Sequence, residues 1–125
     1  MNIEIAARQL ESIGSPTRLQ IYRLLVRAGT AGLAVGSLQH RMAMAASTLS
    51  HHLKRLVSTG LVSQERVATR LICRAEYPAM RSLIGFLTEE CCADEMAIQD
   101  QTGVSRRGSS ANALIDPQNA QGKCR

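Results

Sequence analysis

Ser47, Ser50, His51 and Lys54 recur at i, i+3, i+4 and i+7 within the stretch Ala45–Val62. Wound at 3.6 residues per turn they make one stripe, and Leu49, Leu53 and Leu56 make the opposite one. The leucine side can anchor in a core. The other side offers short hydroxyls, an imidazole and a cation, with no carboxylate among them. Ser and Thr donate or accept hydrogen bonds and neutral His offers one of each, which suits the mixed edges that bases present in the DNA major groove. A second chemistry-bearing group is the adjacent pair Cys91-Cys92, with Cys73 and Cys124 elsewhere in the chain. Vicinal thiolates bind soft ions and take part in redox exchange.

The elements that must position these groups follow from periodicity and punctuation. Ile3–Ser12 reads as a helix, with Ile5 and Leu10 among its apolar positions. Ser15 caps and Pro16 opens a second helix, whose buried stripe is Leu19, Tyr22, Leu25 and Val26. Gly29 and Gly32 bracket a loop. A brief helix runs from Val35 to Arg41 with Leu38 inward, and Met42–Ala46 is the turn before the helix that carries the polar stripe. Gly60 ends that helix in the left-handed conformation and Leu61 packs back over it. Leu61–Val67 and Arg70–Tyr77 are two strand-like runs with Ala68-Thr69 at the bend. Pro78 starts a last helix with Met80, Ile84, Leu87 and Cys91 on one stripe and Leu83 beside them.

This order, α-α-α-α-β-β-α, predicts a mainly α (α+β) winged helix-turn-helix domain over residues 1–100. Residues 101–125 are rich in Gln, Ser, Gly, Asn and Arg, and are expected to be a disordered tail. Residues 1–92 hold eleven Lys/Arg against six Asp/Glu, so the whole excess of +5 belongs to the folded part, where it can face a polyanion.

In a helix-turn-helix the second helix enters the major groove with its N-terminal half against base edges. Ser47, Thr48, Ser50 and His51 occupy that half, and Lys54 and Arg55, a turn later, suit phosphates. His52 lies beside the leucines and reads as a half-buried structural residue. Arg66, Thr69 and Arg70 flank the hairpin tip, where they can reach phosphates or a minor groove or serve as edge-strand charges that block strand pairing. Such domains bind DNA as symmetric dimers. The first and last helices, whose apolar stripes exceed the needs of a small core, are the expected dimer contact.

Other classes are disfavoured. No glycine-rich phosphate loop and no converging Ser/His/Asp set supports an enzyme. Three aromatic residues, Tyr22, Tyr77 and Phe86, do not make a base-stacking platform. The N-terminus carries acids and lacks a continuous apolar run, and no segment is long and apolar enough for a bilayer, so a cytoplasmic protein without membrane contact is expected. A ligand-independent winged-helix regulator and a winged-helix protein-interaction module stay open beside the signal-released DNA-binding reading.

The strings SPTRLQIYRLL and STLSHHLKRLVSTGLV followed by the hairpin resemble the ArsR/SmtB family of winged-helix repressors, over roughly residues 4–92. The resemblance implies a homodimeric repressor that requires no cofactor, sits on an inverted-repeat duplex operator and leaves it when a metal or other signal binds. It carries the DNA-contacting role onto Ser47, Thr48, Ser50 and His51. The family's thiol site at the start of the third helix, E-L-C-V-C-D-L, falls here on Gly32–Leu38, with Ala34 and Gly36 in place of the cysteines. Its last-helix zinc site needs histidine, and His40, His51 and His52 all lie in the helix-turn-helix. Cys91-Cys92 resembles a branch that senses arsenite or antimonite at that point, with a third sulfur from Cys124, Cys73 or a partner subunit. Oxidation to an intersubunit disulfide is the second reading of the pair, and a buried interface residue is the plain reading of Cys91.

Overall fold

The computed structural model describes residues 1–95. Residues 1–86 make one compact unit, and those from Leu87 belong to a second. The expected tail and Cys124 lie outside the described residues. In chain order the elements are α1 (Ile3–Ser12), α2 (Pro16–Ala28), a 3-10 turn (Gly29–Ala31), β1 (Leu33–Ala34), α3 (Val35–Met42), α4 (Ala46–Ser58), β2 (Val62–Val67), β3 (Arg70–Ala75) and α5 (Tyr77–Thr88). The chain is a winged helix-turn-helix.

Local signals explain most boundaries. Asn2 caps α1 by accepting from the Ile5 N–H at 2.9 Å, and Ser15 caps α2 by accepting from Arg18 N–H at 3.3 Å. Pro16 takes the first helical position, where its missing N–H costs nothing. Gly60, at φ 82°, turns the chain out of α4, and Leu61 behind it is fully buried.

The sheet is antiparallel in the order β1-β3-β2. In the hairpin Val62 pairs with Ala75 and Val67 with Arg70, leaving Ala68-Thr69 as a two-residue turn. Ala68 sits at φ 58°, a left-handed position that such turns usually give to Gly or Asn. Strand β1 was not expected. Its two residues pair with Cys73 and Ile72, and Gly32 (φ 70°) permits the approach, since a Cβ there would run into the Cys73 carbonyl oxygen and the Arg74 side chain.

The core is aliphatic. Ile21, Tyr22 and Leu25 of α2 meet Leu38 of α3, Leu49, Leu53 and Leu56 of α4, and Leu61, Val62, Cys73 and Ala75 of the hairpin. Each buried Leu or Ile contributes about 1.5–3 kcal/mol. Leu19 corrects the expected α2 stripe: it is 43% exposed, while Ile21 is fully buried. The buried stripe is Ile21, Tyr22 and Leu25, so Tyr22 and Leu25 lie as expected, and Ile21, two residues and about 200° of helix rotation from Leu19, takes its place.

Helix α5 buries Leu83 and exposes Ile84 and Leu87. It ends at Thr88. Cys91 is therefore not on the helical stripe expected of it but in the turn that follows, its N–H donating to Thr88 O at 2.9 Å. Glu89 and Glu90 supply the reason: negative charge at a helix C-terminus opposes the macrodipole.

Candidate nucleic-acid interface

Helix α3 ends with Ala43 at φ 54°, ψ 49°, and this left-handed residue turns the chain toward α4. Leu49, Leu53 and Leu56 then fix α4 on the core. That anchoring decides what faces outward. Ser47, Thr48, Ser50, His51 and Lys54 are all exposed, as the helical spacing requires. Ala45, before the first turn, offers no side-chain cap, so the leading N–H groups of α4 add partial positive charge to that end.

His52 lies half-buried between this face and the core, its ring edge-to-face with His51 at 6.0 Å. Its Nδ1 is buried without a partner among the described residues. Burial, followed by the positive charge of Arg18 and smaller effects of His51 and Arg55, holds its pKa below the ordinary 6.5. His52 is thus a structural side chain beside the polar face.

The cations differ in company. Arg55 Nη2 lies 3.4 Å from Glu11 Oε2, an exposed pair worth at most about 1 kcal/mol and easily exchanged for another anion. On the wing, Arg74 Nη1 meets Glu65 Oε1 at 2.7 Å and its Nε donates to Thr30 O. Glu65 is thereby neutralised. Among the described residues no carboxylate pairs with Lys54, Arg66 or Arg70. Arg66, Thr69 and Arg70 are exposed around the wing tip and line a cleft of about 420 Å³ with Leu71 and with Gly36 and Ser37 from the start of α3. Sequence reasoning missed Ser37. Its place in the lining of the same cleft as the two arginines becomes visible only once β1 brings the start of α3 up to the wing.

The cysteines separate. Cys73 is fully buried in the core, accepts from Gln64 Nε2 at 3.5 Å, and has its thiol pKa raised by burial. Cys91 is exposed and Cys92 half-buried, with their Sγ atoms 3.8 Å apart and Cys92 at φ 60°. Among the described residues no group of three or more His, Cys, Asp or Glu is placed to hold a metal ion. No described helix is long and apolar enough to cross a membrane.

Residues 13–65 match a family model described as a helix-turn-helix domain. The chain is 33% identical over 98 residues to nodulation protein NolR of Rhizobium meliloti, covering 78% of each. It is 32% identical over 89 residues to the HTH-type transcriptional regulator YgaV of Escherichia coli, covering 71% of this chain and 88% of the relative. Its fold matches the solution structure of the homodimeric winged helix-turn-helix DNA-binding domain of a possible ArsR-family transcriptional regulator from Mycobacterium bovis, with a TM-score of 0.58, 24% identity, and 84% and 89% of the two chains covered. The chain belongs to the ArsR family of winged-helix transcriptional regulators. Membership makes it a transcription regulator and not an enzyme. The thiol site that the resemblance implies at the start of α3 has no sulfur here. Its two cysteine positions are held by Ala34, which is buried, and Gly36, which lines the wing cleft.

Proposed function

We propose that this protein is a cytoplasmic, homodimeric DNA-binding repressor whose hold on an inverted-repeat operator is released by a thiol-reactive signal at Cys91-Cys92, arsenite or antimonite first. The observation that carries the DNA half is the outward face of α4. Ser47, Thr48, Ser50 and His51 stand exposed above three buried leucines, with Lys54 behind them and no acid on the face. Arg66, Thr69 and Arg70 on the wing, with Lys54 and Arg55, supply positions for phosphates.

Dimerisation is supported by α1, which buries Ala6, Gln9 and Ser12 and leaves Ile3, Ile5 and Leu10 in solvent. Helix α5 adds Ile84. A second copy of the chain is the occupant that lets one protein read two half-sites about 34–36 Å apart. The related Mycobacterium bovis domain is homodimeric.

The signal reading rests on the sulfurs. Cys91 and Cys92 are adjacent, with Sγ atoms 3.8 Å apart, and thiophilic ions bind thiolates once such a pair is reduced. Release requires the signal to bind the off-DNA form more tightly than the DNA-bound form. The test is operator binding by reduced protein, titrated with arsenite and separately with a thiol oxidant. Arsenite should release wild type and leave Cys91→Ser/Cys92→Ser bound. Release by oxidant alone would transfer the sensing role to disulfide chemistry. Identical behaviour of wild type and variant under both treatments would remove the pair from the mechanism.

A further inference from the structure

The contact between α1 and α4 is built from polar groups where apolar ones were available. Gln9 and Ser12 are the buried polar residues of the described chain, 4% and 2% exposed, although the same helix carries Ile3, Ile5 and Leu10. Burying polar atoms stabilises little compared with burying aliphatic ones, and costs free energy wherever a bond is missed. Here Gln9 Oε1 is buried with no partner among the described residues. What polar groups offer in exchange is direction.

The bonds converge on the last turn of α4. Gln9 Nε2 donates to Thr59 O at 3.0 Å, and the Ser12 and Thr59 hydroxyls meet at 3.1 Å. Each hydroxyl has its own helix carbonyl within reach, Gln9 O for Ser12 at 2.8 Å and Leu56 O for Thr59 at 3.2 Å. Arg18 Nε then donates to Ser12 O at 2.6 Å, tying the end of α1 to α2. Glu11 and Arg55 close the exposed rim of the same seam. The end of α4 is thus fixed to the helix whose other side shows Ile5 and Leu10.

We infer that Gln9, Ser12 and Thr59 are positioning residues for operator recognition, holding α4 at a set angle to α1 so that the two recognition helices of a dimer match one half-site spacing. The inference rests on the proposed dimer through α1. Ridges of leucine against leucine tolerate sliding and rotation, and a pair of directional hydrogen bonds at the helix end does not. None of the three residues needs to touch DNA. Their loss loosens the spacing rule while each α4 still reads its own half-site.

The experiment uses the full chain. Wild-type protein selects its half-site from randomised duplex DNA. Affinity is then measured on duplexes carrying that half-site as an inverted repeat at the selected spacing, and with one or two base pairs added or removed. The variant Gln9→Met/Ser12→Ala/Thr59→Val replaces the seam by apolar groups of similar size. Ser12→Ala alone serves if the triple variant fails to fold, and Ser12→Thr/Thr59→Ser keeps both hydroxyls. We expect the seam variants to remain dimeric by sedimentation and to melt as wild type does. Their discrimination against mis-spaced duplexes should fall at least tenfold, and the hydroxyl-keeping variant should retain it. Unchanged discrimination, or an equal loss of affinity on every duplex, overturns the inference while leaving the dimer reading in place. A wild-type chain that sediments as a monomer or selects no inverted repeat overturns both.

Discussion

Helices α1 and α4 are both amphipathic, and they bury opposite kinds of face. Helix α4 puts Leu49, Leu53 and Leu56 inward and shows serine, threonine, histidine and lysine. Helix α1 puts Ala6, Gln9 and Ser12 inward and shows Ile3, Ile5 and Leu10. The pattern of a helix says that two faces differ, and the surroundings decide which one is core. A helix that buries its apolar face is complete within the monomer and can offer its polar face to a polar partner. One that buries its polar face keeps its hydrophobic driving force for something outside the monomer.

The largest effects should come from breaking the buried side of α4. Leu53→Ala removes a side chain only 1% exposed from the centre of the core, at a cost of about 2–5 kcal/mol. Thermal and urea unfolding should show that loss directly. Leu10→Lys in α1 changes an apolar residue that is 39% exposed. Its effect on the folded monomer should stay within about 0.5 kcal/mol. The dimer dissociation constant, by sedimentation, should rise at least tenfold. If Leu10→Lys lowers the stability of the monomer by several kcal/mol, or leaves the dimer dissociation constant unchanged, the contrast between the two helices is wrong.

The polar face of α4 predicts effects of the next size, on DNA and not on stability. Ser50→Ala or His51→Ala should cost about 1–3 kcal/mol of operator affinity if the side chain meets a base edge, with the melting temperature unchanged. Arg70→Ala on the wing should weaken all duplexes alike and lower the slope of log K against log salt by about one, the mark of a phosphate contact. A base-specific loss at Arg70 would move the wing from positioning to readout.

Much of this was legible in the sequence, and the exceptions have physical causes. Three leucines at i, i+4 and i+7, a Ser-Pro start and a Gly-Leu end specify the helix-turn-helix locally, because each signal acts within one turn of helix. The wing was readable from its alternation, although its turn lacks the Asn-Gly or Asp-Gly that usually announces one and forces Ala68 to a positive φ instead. Strand β1 was not readable, since two residues have no period and the pairing with Cys73 and Ile72 is set by the sheet. In the stripe of α2 Tyr22 and Leu25 were placed correctly and Leu19 stood in for Ile21, because the two are equally apolar and only the surrounding elements choose between them. The Cys91 error came from extending a helical period past Glu89-Glu90, where the charge already argued for a stop. The seam at Gln9 and Ser12 was invisible for the reason α1 is informative: polar residues on a helix are read as solvent-facing until a neighbour is seen to cover them.

The smallest predicted effect concerns the residue between the two faces of α4. His52 has its pKa lowered first by burial and then by Arg18, with His51 and Arg55 adding to the same direction. A depressed histidine pKa means the folded chain resists a proton that the unfolded chain accepts. Stability is therefore undiminished above the ordinary pKa of 6.5 and declines as pH falls below it toward the folded-state value. His52→Gln should flatten that part of the stability profile between pH 7.5 and 5.5, measured by urea unfolding at fixed salt. The replacement keeps a polar group at the Nε2 end of the ring and introduces no charge. An unchanged slope would place the acid sensitivity elsewhere, and would mean that the imidazole gains enough water on protonation to escape the arginines. That outcome would make the boundary between the anchored and displayed faces of α4 wetter than the buried Nδ1 implies.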